Sequence, residues 1–210
     1  MTQRKKQDEF RFLVKLALEL GALEAKAIPV SKIVVEDRVL RCTVGCDTYK
    51  KKLMCPPFAP TVDQFRKMLK DYRHALLSKF PAEAQTEEKV GRSLLRHRYD
   101  STTSVEIKEK ASRFWSDWSK DKRRVHLALL ELEKAAFNNG YVFAVGFSTG
   151  SCVLCEKCNV EAGVCVHPTM ARYPEHAVGI NVKKTTEKAG MSITFPFSGK
   201  PQAISLMLID

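Results

Sequence analysis

Cys152 to His167 reads C-V-L-C-E-K-C-N-V-E-A-G-V-C-V-H, and the stretch that leads into it, Tyr141-Val142-Phe143-Ala144-Val145-Gly146-Phe147, is apolar almost throughout. The apolar run has the composition of a buried strand. It opens into the cysteines through Ser148-Thr149-Gly150, so the sequence places a thiol-rich loop at a strand end. Cys152, Cys155, Cys158 and Cys165 stand at C-x2-C-x2-C-x6-C. Three thiolates two residues apart can wrap one soft centre, because each two-residue spacer lets the backbone curl until the sulfurs converge. The amides freed by that curl then point at the sulfurs. This opening matches the ligand spacing of a [4Fe-4S] cluster, whereas zinc sites use separated C-x2-C or Cys/His pairs. Iron–sulfur is therefore the first reading and zinc the alternative. Four merely structural cysteines would have no reason to cluster with Glu156, Lys157 and Asn159 between them.

Upstream, a second group runs C-T-V-G-C-D-T-Y-K-K-K-L-M-C-P-P-F-A-P from Cys42 to Pro60, with Cys42, Cys46 and Cys55 at C-x3-C-x8-C. Lys50-Lys51-Lys52 lies beside two of these thiols and favours their ionised form. Pro56, Pro57 and Pro60 stiffen the chain after the third. A strand from Val39 to Cys42 is expected to deliver the chain to this group. Both groups would then leave strand ends and meet over one rim of a sheet.

The remaining elements follow from period and caps. Helices are expected from Asp8 to Leu20, from Val62 to about Asp71 behind the N-cap Thr61, and from Ser104 to Asn139 with a break near Ser119-Lys120. Another runs from Asn181 through Ala189, and Arg172 to Asn181 forms a short turn of helix. Strand pieces are expected at Ile28 to Val30, Ile33 to Val35, Ala75 to Phe80, Tyr141 to Phe147, Ser192 to Phe197 and Ala203 to Ile209. Residues 81–104 read as a loop or insertion. The basic face Lys120, Lys122, Arg123, Arg124 reads as a solvated helix surface. The fold class is α/β or α+β: one domain over 1–210 with a mixed sheet, flanking helices and two cysteine-rich loops.

The chain has 210 residues, 44% apolar and 28% charged, with seven cysteines and a net charge of +11. An odd number of cysteines in two clusters fits metal ligation in a reducing compartment better than a disulfide framework. No run of eighteen apolar residues and no secretory signal is present, so a cytoplasmic protein without a membrane partner is expected. The positive charge suits an acidic redox partner, a small anionic substrate or, as a minority reading, nucleic acid. Phosphate-binding glycine loops and H-E-x-x-H are missing, which argues against those chemistries.

Taken together, these residues resemble the DUF2284 group of predicted metal-binding proteins. The resemblance rests on Cys42-x3-Cys46, the block from Tyr49 through Cys55-Pro56-Pro57-Phe58 to Pro60-Thr61, and Asn139-Gly140-Tyr141. It continues through Gly150-Ser151-Cys152 to Cys165-x-His167-Pro168, then Ala171-Arg172, Gly179-Ile180 and Ala189-Gly190. It implies a cysteine-rich metal or iron–sulfur protein. The chain departs from the group's usual tail at His176 and Asn181, where acidic residues are customary.

The count of four plus three allows two [4Fe-4S] clusters. The three-cysteine one would leave an iron open to act as a Lewis acid, for example in sulfur removal or transfer. His167 is either a ligand or near neighbour of the cluster, or a residue that holds the loop through its backbone. Arg172 either faces an anion or forms a salt bridge. Electron transfer, open-iron catalysis, and a zinc module contacting RNA or protein remain as three readings.

Overall fold

Continuous apolar strands predict a sheet buried on both faces, and the computed structural model has one. It describes residues 9–39, 45–94, 100–194 and 199–210. Strands β1 (Glu24–Pro29), β2 (His74–Pro81), β3 (Val145–Phe147) and β4 (Gln202–Leu208) form one sheet in the order β1-β2-β4-β3. All three strand pairings are antiparallel, with Leu77 opposite Leu206 and Gly146 opposite Met207. Among the described residues, the parallel contribution expected of a mixed sheet reduces to a single bridge between Ser148 and Pro174.

Side chains alternate across the sheet. Leu76, Phe80, Ala203 and Met207 face one layer, built from α1 (Arg11–Glu19) and α4 (Val105–Asn138) through Leu13, Ala17, Val125, Leu129 and Leu132. Ala75, Leu77, Ile204, Leu206 and Leu208 face the other. There α2 (Val62–Leu69) contributes Phe65, α5 (Val182–Ala189) contributes Ala189, and Val178, Ile180 and Met191 fill the space between. The chain is thus an α+β fold in three layers.

The caps fall where the residue types put them. Thr61 and Gln64 form a reciprocal capping box on α2, Ser104 caps α4, and the Asn181 side chain accepts the Lys184 amide at 3.1 Å. Asn181 also donates to Glu36, which Lys184 and Arg38 engage as well. Asn181 therefore both caps α5 and holds the Glu36 carboxylate.

Several expectations need correction. Helix α4 is continuous through Ser119, whose hydroxyl turns back to the Trp115 carbonyl at 2.9 Å. Residues 81–104 are not simply a loop: α3 (Glu88–Ser93) forms, and Ala84, Val90 and Leu94 pack on Ala111 and Phe114. The Asp121 carboxylate fixes the start of this segment by accepting the Glu83 and Ala84 amides at 2.9–3.0 Å. The apolar run Tyr141–Phe147 supplies only three strand residues. Its first half is a turn, with Phe143 78% exposed, because the chain must reverse at Gly140 (φ +93) before meeting β4. Val30–Lys32 and Asp37–Val39 are 3-10 turns, and Val35 makes only an isolated bridge to Ile180. Ser192 to Ile193 are not strand. Leu40 to Cys42 and the end of the expected strand at 195–197 lie outside the described residues. Among the described residues, no helix is long and apolar enough to cross a membrane.

Candidate metal centre

Two anchors set the position of the second cysteine loop. Beyond β3, the Ser148 amide donates to the Tyr173 carbonyl at 3.0 Å, and the Ser148 carbonyl accepts the Glu175 amide at 3.3 Å. Gly150 follows at φ +68, a left-handed turn that suits glycine. At the far end, the His167 carbonyl accepts the amides of Met170 and Ala171. The His126 ring, on α4, donates from Nε2 to the Met170 carbonyl at 2.7 Å. His126 is buried, and its burial lowers its pKa, so the neutral ring with a proton on Nε2 suits this contact. Between the anchors, Asn159 Nδ2 donates to the Val164 carbonyl and Gly163 turns at φ +66.

The Arg172 guanidinium grips Glu133 of α4 through Nε at 2.7 Å and through a second, shorter contact from Nη2. Glu133 also accepts the Gly146 amide. Arg172 is thus the salt-bridge partner of the two possibilities, and it locks the chain after the loop to the strand before it.

The first loop is a succession of tight turns from Cys46 to Ala59. The Thr48 hydroxyl lies 3.0 Å from Cys46 Sγ and 3.8 Å from Cys55 Sγ, so two thiols flank one hydroxyl. The Cys55 carbonyl accepts the Phe58 and Ala59 amides, and the Pro56–Pro57 peptide is cis.

The two loops touch. The amide of Leu53 donates to Cys158 Sγ at 3.4 Å across 105 positions of sequence. Cys55 is 2% exposed, and burial raises its pKa, opposed by the Thr48 hydroxyl and reinforced by Cys46 and Cys152. Burial likewise raises Cys152, opposed by the Leu154 amide and by Lys52 and reinforced by Cys155 and Cys165. The thiols of the two groups therefore lie within electrostatic reach of one another.

Cys46, Cys55, Cys152, Cys155, Cys158 and Cys165 carry free thiols. Cys42 lies outside the described residues. Among the described residues, no three His, Cys, Asp or Glu side chains are drawn together as a finished ligand set. His167 is exposed, and the contacts seen for it are those of its carbonyl. The donor chemistry nonetheless fits a soft metal: thiols on two touching loops, an amide aimed at one sulfur, and lysines facing them.

Two further residues lie near the centre: Lys122, expected on a solvated helix face but turned inward, and Glu175, which no motif singles out. Lys122 is half-buried, with its ammonium 3.5 Å from both the carbonyl and the hydroxyl oxygen of Ser151. Burial, then the charge of Lys52, lowers its pKa to about 8, with Cys152, Cys55 and Asp47 pulling the other way. Its position was legible: Lys122 continues the buried stripe Val125, Leu129, Leu132, Ala136 at alternating three- and four-residue steps.

Glu175 is 2% exposed, its Oε1 has no hydrogen-bond partner, and burial raises its pKa well above the carboxylate range. Its own amide and that of Gly150 oppose the rise. The folded state keeps a proton that the unfolded chain releases above about pH 4.3. Stability from this group is thus complete below that pH and is lost as pH rises through the folded value. Replacing Glu175 with Gln should flatten this decline, measured as urea midpoints at stepped pH. An unchanged slope would show that Glu175 ionises freely.

The family model for the predicted metal-binding proteins of DUF2284 matches residues 26–209. The chain belongs to this family. No curated protein and no solved structure matched the chain. Membership makes this DUF2284 protein one of a predicted metal-binding group.

Proposed function

We propose that this DUF2284 protein holds one or two [4Fe-4S] clusters at its two cysteine loops. In the cytoplasm it acts in electron transfer or as a reductive accessory to another enzyme. The carrying observation is the bond from the Leu53 amide to Cys158 Sγ, which sets one thiol-rich loop against the other. An amide donating to a ligand sulfur spreads the negative charge that clusters accumulate. The spacing C-x2-C-x2-C supplies the converging thiolates, and Lys52 and Lys122 supply positive charge beside them. A net charge of +11 favours an acidic redox protein as the partner.

Anaerobic purification with iron, acid-labile sulfide and zinc analysis tests this reading. Brown protein with roughly eight irons and eight sulfides is expected for two clusters, or about four of each for one. Colourless protein with stoichiometric zinc and no sulfide would overturn it. Cys158→Ala removes the sulfur that both loops touch and should release about four irons, a whole cluster's content. Iron content equal to the wild type would exclude Cys158 as a ligand.

A further inference from the structure

Lys122 is placed as no solvated lysine would be. It leaves α4 on the apolar stripe that also carries Val125 and Leu129, and its stem passes Gly150 so closely that a Cβ there would stand 3.2 Å from Lys122 Cδ. Its hydrogen-bond acceptors are the two oxygens of Ser151, the residue before Cys152, and neither carries a charge. The charges it senses come from both loops: Lys52, Cys55 and Asp47 from the first, Cys152 from the second. Of these, Asp47 is ordinarily an anion and Lys52 a cation, so the loops offer the ammonium little net negative charge while their thiols are protonated. A half-buried ammonium is retained in such a place only where a compensating anion belongs.

We propose that Lys122 is the charge-balancing residue of the metal centre, its ammonium offsetting the net negative charge that the thiolate ligands bring. This rests on the cluster reading above. A [4Fe-4S] cluster with cysteine ligands becomes more negative on reduction, and net charge is one of the terms that set its potential. An ammonium in a partly water-excluded site lowers the energy of the reduced form more than that of the oxidised form. Lys122 therefore makes the cluster easier to reduce. Lys52 acts in the same direction from the first loop.

The test is a redox titration followed by EPR on anaerobically purified wild type, Lys122→Gln and Lys122→Arg, with iron and sulfide measured on each sample. Lys122→Gln should keep its cluster and shift the reduction equilibrium about tenfold toward the oxidised form, a fall of about 59 mV for one electron. Lys122→Arg, which keeps the charge, should stay close to the wild type. A full cluster with unchanged potential in Lys122→Gln would overturn the proposal and leave Lys122 as a packing strut.

If Lys122→Gln loses its metal, the arginine variant decides. Retention in Lys122→Arg supports a charge requirement, and loss in both shows that shape alone matters. If the wild type carries zinc and no sulfide, it is the cluster reading that fails. Lys122 is then judged by chelator challenge, where faster zinc release from Lys122→Gln supports charge balance and an equal rate refutes it.

Discussion

Glu133→Ala is expected to lower the unfolding free energy by about 3–5 kcal/mol, the range for breaking a buried pair by removing one partner. The Glu133 and Arg172 side chains are 11% and 20% exposed, so little solvent screening intervenes. Removing the carboxylate strands the Arg172 guanidinium, which has its Nε and Nη2 directed at Glu133 and its Nη1 at the Thr169 and Ala171 carbonyls. It also strands the Gly146 amide, which would lose the acceptor it has in Glu133 Oε1. One side chain thus joins α4, β3 and the chain leaving the second cysteine loop. Urea denaturation checks the value. Glu133→Gln should fall between wild type and Ala, because it keeps an acceptor for Gly146 but loses the charge. A loss under about 1 kcal/mol for Ala, the range of exposed pairs, would mean that the contact is solvated.

Gly146→Ala should destabilise the fold by about 3 kcal/mol, the upper part of the usual range for overpacking. Its Cβ would stand 2.6 Å from Leu129 Cγ and 2.8 Å from Glu133 Oε1. Leu129 is 1% exposed and packed between α4 and the sheet, so it has little room to yield. The strand would have to withdraw from the helix and weaken its pairing with β4. Because the two substitutions share Glu133, their effects should not add, and the double variant should lose less than the sum. Wild-type stability in Gly146→Ala, again by urea denaturation, would show that β3 and α4 are not in contact there.

These sites show where sequence reading succeeds and where it stops. Thr61 and Asn181 were legible as caps because a short polar side chain before a 3.6-residue period has a local cause. The strands β2 and β4 were legible because a run buried on both faces is apolar at most steps. Tyr141 to Ala144 misled for the same reason: the apolar run outlasts the strand, and only three residues of β4 remain to pair with it. The six-residue α3 is too short for its period to show, and its packing on Ala111 and Phe114 is tertiary. Cysteine spacing named the candidate ligands, whereas the contact between Leu53 and Cys158 depends on how two distant loops fold. Lys122 sat on a legible stripe, but a charged residue on a basic helix face was assigned to water.

The strand order also dictates a sequence of assembly. Strand β4 comes after the other three in the chain, yet it lies between β2 and β3 and pairs with both. Until it is synthesised, β3 has no partner strand, and the thiols downstream of β3 have no fixed floor. Pairings this distant along the chain form late. Each newly made molecule therefore passes through an interval in which its cysteines exist but their rim does not. Metal supplied during that interval would meet a flexible chain of competing thiols, so orderly loading belongs after the sheet has closed.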